Sequence, residues 1–151
     1  MKFIIVMFLI LISKFSNDYT YRDVEIVETQ EQLNEFSYEN LKQALETLEV
    51  SNPDIILKQA KLESGNFKSD VFKENNNFMG MRQPRVRETT AIGSNKGHAV
   101  YEDWYDCVKD IVLFQEYYAN RISKSVDYYD FLGQVYAVDL GYVNKLKQMN
   151  I

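Results

Sequence analysis

From residue 37 onward the apolar positions fall on helical spacing, and before it they do not. Leu41, Ala44, Leu45 and Leu48 follow an i, i+3, i+4, i+7 pattern behind Ser37, a residue suited to capping, so a first amphipathic helix is expected from there. Ser51 and Asn52 are good N-caps and Pro53 suits a first helical turn. Ile55, Ile56, Leu57, Ala60 and Leu62 then read as a mostly buried helix, with Gly65 placed to stop it. Asp103 can cap a long helix running to about Ile122, with Val108, Ile111, Val112, Tyr118, Ala119 and Ile122 inward. Tyr128, Phe131, Leu132, Val135 and Tyr136 predict another helix, and Tyr142, Val143 and Leu146 a last one.

Between these helices the pattern changes. Residues 64–83 are rich in Asn, Gly and Ser and contain the run Asn75-Asn76-Asn77, which is loop chemistry because Asn tolerates left-handed backbone and bonds its own chain. Phe78, Met79 and Met81 are unusual in a solvated connector and are expected to pin this loop on the core. Residues 84–101 hold two short β-prone runs around Gly93-Ser94-Asn95-Lys96-Gly97, which predicts a small hairpin. Five helices and one hairpin make a predominantly helical α+β domain. It is long enough to bury a real core.

The N-terminus follows a different rule. Met1-Lys2 precedes an unbroken apolar run, Phe3 to Ile12, and then Ser13, Lys14 and polar residues. Residues 1–16 therefore read as a signal peptide or signal anchor, residues 17–36 as a polar arm, and 37–151 as the domain. No Ala-x-Ala cleavage site is visible, so a membrane tether through residues 3–12 stays open beside secretion, and a buried N-terminal element is the remaining alternative. No Cys follows the run, which excludes a lipid-modified N-terminus of the usual bacterial type. Export to the periplasm, the cell envelope or the medium is the expectation.

Composition narrows the function. A hydrophobic fraction of 46% with 14% aromatics fits a globular body. A net charge of −5 argues against a nucleic-acid partner, and any affinity for an anionic surface must come from a local groove. Cys107 is the single cysteine and His98 the single histidine, so an internal disulfide is impossible and no metal site is expected from that pair. No cofactor is indicated. Cys107 reads as a small packed residue and His98 as exposed scaffold.

One carboxylate stands out. Glu63 shares a helical face with Ile56, Gln59 and Ala60, so it should point inward rather than to solvent. It also sits in the last turn, where unpaired carbonyls disfavour negative charge. Both effects raise its pKa, as a proton donor near neutral pH requires. A surface Glu at a helix end is the alternative.

Taken in order, the motifs are Ala60-Lys61-Leu62-Glu63-Ser64-Gly65, Asn76-Asn77-Phe78-Met79-Gly80-Met81, Tyr101-Glu102-Asp103-Trp104 and Tyr136-Ala137-Val138-Asp139-Leu140-Gly141-Tyr142. This set, over about residues 38–149, resembles the glucosaminidase family of peptidoglycan hydrolases, autolysins with a lysozyme-like domain. The resemblance implies a hairpin lobe beside a catalytic groove and Glu63 as general acid. It implies action on peptidoglycan glycan strands, as an endo-β-N-acetylglucosaminidase; a monomer is expected. A lysozyme or lytic transglycosylase cutting after N-acetylmuramic acid, and a non-catalytic wall-binding module, are the alternatives.

The second catalytic group is less defined. Glu88 is the nearest hairpin carboxylate, with Glu102 and Asp103 behind it, but many relatives carry an acid where this chain has Ala91-Ile92. Assistance by the substrate's own 2-acetamido group is the other route. By resemblance the Tyr101 hydroxyl faces the reaction centre, and a half-buried structural tyrosine is its alternative. Asn77, Phe78 and Trp104 are candidate substrate-binding positions, Asn77 by shaping the loop and Trp104 as a stacking platform or core residue.

Overall fold

The computed structural model describes residues 35–136 and 141–151. The apolar run and nearly all of the polar arm lie outside the described residues, as do Ala137 to Leu140 of the last motif. No helix among the described residues is long and apolar enough to cross a membrane.

Seven helices and one hairpin are described: α1 (Tyr38–Thr47), α2 (Pro53–Glu63), α3 (Asp70–Asn75), β1 (Gly93–Asn95), β2 (His98–Val100), α4 (Trp104–Tyr117), α5 (Ala119–Ile122), α6 (Tyr128–Val135) and α7 (Tyr142–Gln148). The fold is α+β and predominantly helical, and Ser37–Ile151 forms one unit.

The helix starts follow capping chemistry. Ser37 accepts from Asn40 N at 3.0 Å, Asp103 from Asp106 N at 2.8 Å and Asp127 from Asp130 N at 2.7 Å. At α2 the mechanism differs from the expected cap. Asn52 takes a left-handed conformation (φ 57°) and makes no side-chain cap bond, while Pro53 opens the helix. The loop before it is held from a distance, because Gln115 of α4 accepts from Ser51 N and donates to Ser51 O, both at 2.8 Å.

α1 packs on α2 and α4, and α2 packs on α7, which also contacts α6. Leu41, Ala44 and Leu45 of α1 and Ile56, Leu57 and Ala60 of α2 are buried, as are Trp104, Cys107, Val108 and Ile111 of α4, Phe131 and Leu132 of α6, and Leu146 of α7. Each large apolar side chain so buried contributes about 1.5–3 kcal/mol, which holds α2 in place and fixes the position of its C-terminal residue.

Three expectations need correction. The long helix does not run unbroken to Ile122. It stops at Tyr118 (φ −98°, ψ 10°), whose ring packs on Phe114 and Phe131 with centroids at 4.9 and 5.8 Å, and Ala119 is exposed rather than inward. Residues 64–83 are not all loop, since Ser69 caps the short α3 by accepting from Phe72 N. The hairpin is shorter than 84–101: Gly93 pairs with Val100, Ser94 with Ala99 and Asn95 with His98, around a tight turn with both Lys96 and Gly97 at positive φ. Residues 84–92 instead cross α4 as an irregular loop. Its polar side chains turn to the helix: Thr90 donates to Asp106 O at 2.7 Å, and Arg87 pairs with Asp110.

Candidate active site

The three consecutive asparagines act as struts. Asn75 and Asn95 bond each other and Asn75 Nδ2 reaches Asn95 O, tying α3 to the hairpin. Asn76 sits in left-handed backbone and donates to Tyr101 O and Glu102 O. Asn77, 1% exposed, donates to Met81 O at 2.8 Å and Ala99 O at 2.9 Å, and accepts from Met81 N at 3.1 Å. Together they lock the turn Asn77–Met81 between α3 and β2. Phe78 and Met79 are buried beneath it, and its Gly80 takes φ 64°.

Glu63 faces that turn. It is the last residue of α2, half-buried, and a Cβ on Gly80 would lie 3.6 Å from its Oε2. Ser64, 1% exposed, closes the helix by donating to Ala60 O and accepting from Phe67 N. Glu63 opens into a groove of about 580 Å³, a size typical of ligand sites. Gly80, Met81, Arg82, residues from Pro84 to Arg87, His98, Phe114, Tyr117, Tyr118, Tyr136 and Tyr142 also line it. Among the described lining residues Glu63 is the only carboxylate.

Burial raises the Glu63 pKa above the usual carboxylate value, and a hydrogen bond from Tyr142 and the nearby His98 offset it only in part. The Tyr142 hydroxyl accepts from Gln59 Nε2 at 3.0 Å and donates to Glu63, making a relay from one turn of α2 to the next through α7. Burial, the Glu63 charge and its hydrogen bond push the Tyr142 phenol far up, so it stays a neutral donor. Tyr136 stacks on Tyr142 at 5.8 Å and anchors its own hydroxyl on Met79 O at 2.7 Å.

The other sequence candidates do not converge on the groove. Tyr101 is 2% exposed, and its hydroxyl donates to Asp110 Oδ2 at 2.7 Å rather than meeting Glu63. Arg87 grips both oxygens of Asp110 at 2.7 and 3.0 Å. Burial alone would raise the Asp110 pKa, but the hydrogen bonds from Arg87, Tyr101 and Thr89 hold it below its usual value. Phe78 and Trp104 are core residues, 0% and 4% exposed, and Glu88, Glu102 and Asp103 are exposed outside the groove lining.

His98 is not exposed scaffold. It is half-buried on the groove wall with Nδ1 2.9 Å from Gly80 O; because a carbonyl only accepts, Nδ1 is the donor. His98, Gln59, Tyr136, Tyr142 and the Arg82–Arg87 loop had no site role in the sequence reading. The last motif had flagged both tyrosines, but spacing alone could not bring α7 to the end of α2.

The chain matches no curated protein and no solved structure. The glucosaminidase family model, described as mannosyl-glycoprotein endo-beta-N-acetylglucosaminidase, matches residues 38–150. With the match covering most of its length, this chain belongs to the glucosaminidase family.

Proposed function

We propose that this chain hydrolyses the β-1,4 bond after N-acetylglucosamine in peptidoglycan, with Glu63 as the general acid, and that it does so outside the cytoplasm. The family supports a peptidoglycan-hydrolase role in general. The observation that carries the finer reading is a groove carboxylate, the single one among the described residues, held with a raised pKa. Such a group keeps its proton toward neutral pH and can give it to the leaving oxygen.

Glycosidic cleavage also needs stabilisation at the anomeric carbon. No second carboxylate lines the groove among the described residues, which favours the substrate's acetamido group. Its carbonyl oxygen attacks the anomeric carbon as the glycosidic C–O bond breaks, and the Glu63 proton passes to the departing oxygen. Water then opens the cyclic intermediate, returning its proton to the Glu63 carboxylate. Tyr142 donates to that carboxylate while it is charged. Two inversions give net retention of configuration.

In this reading Tyr101 is a positioning residue, acting through Asp110 and Arg87 on the loop that walls the groove, and Glu88 has no chemical role. Asn77 shapes the turn under Glu63. Tyr117, 50% exposed on the groove wall, and Tyr118 take over the sugar-stacking role expected of Trp104.

Borohydride reduction of digested wall tests the cleavage position. The expected new ends are N-acetylglucosaminitol. N-acetylmuramitol ends would mean a lysozyme, anhydro ends a transglycosylase, and no new ends a binding module.

A further inference from the structure

The groove is charged against the grain of the protein. The chain carries a net −5, yet Arg82, Arg85 and Arg87 line a groove in which Glu63 is the one carboxylate among the described residues. Arg87 is spent on the buried Asp110. Arg82 and Arg85 are exposed and have no ion pair or hydrogen bond among the described residues. They flank Pro84 on a loop tied to α4 through Arg87 and Thr90. Guanidinium groups without a partner add little to folding, and a low-dielectric groove wall focuses their field on whatever enters.

Resting on the reading of the substrate as peptidoglycan, we propose that Arg82 and Arg85 bind carboxylates of the stem peptide carried by the muramic acid beside the cleaved bond. A guanidinium fork matches a carboxylate with two parallel hydrogen bonds, which a neutral glycan cannot offer. The aromatic wall of Tyr117 and Tyr118 holds the sugar ring, and the arginine loop reads the peptide branch. The enzyme is thereby selective for charged, peptide-bearing strands over neutral N-acetylglucosamine polymers.

The test compares two ligands of equal size: a muramoyl-peptide tetrasaccharide, and the same compound with its carboxylates converted to methylamides. Binding is measured on the full chain carrying Glu63→Gln, so that nothing is consumed. The charged ligand should bind about tenfold tighter, as expected for two semi-exposed charge-assisted contacts. Adding Arg82→Gln and Arg85→Gln should bring the ratio close to one, each alone should lower it about threefold, and Arg82→Glu with Arg85→Glu should invert it. A ratio near one in the parent, or one unmoved by the Gln pair, overturns the proposal. Turnover of wall by the wild-type chain separates the two readings. Normal turnover with equal affinities removes the carboxylate site alone, and absent turnover with a retained preference removes the hydrolase reading alone.

Discussion

Asp110→Asn removes one charge from the centre of a buried network and leaves its shape in place. Asp110 is 0% exposed and receives Arg87 through both oxygens and Tyr101 through its hydroxyl. The Arg87 side chain is itself only 7% exposed, so the variant strands a guanidinium without its counter-charge. Breaking a buried pair by removing one partner costs about 3–5 kcal/mol, and an amide oxygen that still accepts one bond recovers part of it, so roughly 3 kcal/mol is expected. That is a large share of the ~5–15 kcal/mol that stabilises a typical domain. Urea unfolding followed by circular dichroism measures it. The pH dependence gives a second reading. The folded pKa of Asp110 is depressed, so its contribution is present above the usual carboxylate pKa and is lost as pH falls through the folded value. The gap between wild type and Asp110→Asn should therefore narrow in acid. A loss below about 1 kcal/mol, or a gap that does not change with pH, would refute the network's role in holding the groove loop.

Tyr142→Phe should lower turnover and move the alkaline limb of the rate profile upward, because the lost hydrogen bond was lowering the Glu63 pKa; an unmoved limb counts against the relay. Glu63→Gln should raise the melting temperature at neutral pH. A carboxyl with a raised folded pKa costs stability once ionised and nothing below the usual carboxylate range, so the gain should vanish there. Glu88→Gln should keep near-wild-type activity in wall-clearing assays, and a variant as inactive as Glu63→Gln would restore a two-carboxylate mechanism. A reporter fused after residue 36 should be exported, and its retention in the cytoplasm would remove the signal reading of Phe3–Ile12.

The sequence revealed what local rules determine. The α1 stripe, the Asp103 cap and the inward face of α2 are each written within one turn of helix, and Glu63 followed from that face. Long-range placement was not written there. Tyr142 lies 83 residues from Gln59, its hydrogen-bond partner, and only the packing of α2 on α7 joins them. Nothing local to Arg87 marks its role, which depends on α4 presenting Asp110 to it. Tyr101 and Trp104 belong to a recognisable motif, but a motif marks positions that matter without saying whether for chemistry or packing. Here both side chains point into the core. His98 was misjudged because its partner, the Gly80 carbonyl, exists only once the three asparagines have folded the turn beneath Glu63.

The most direct test of the central claim is the rate of wall hydrolysis by Glu63→Gln, with its fold verified by circular dichroism. Loss of the general acid should reduce the rate by about 10²–10⁴ while the groove still binds glycan. A correctly folded variant that retains more than about a tenth of wild-type activity would contradict the assignment of Glu63 as the proton donor.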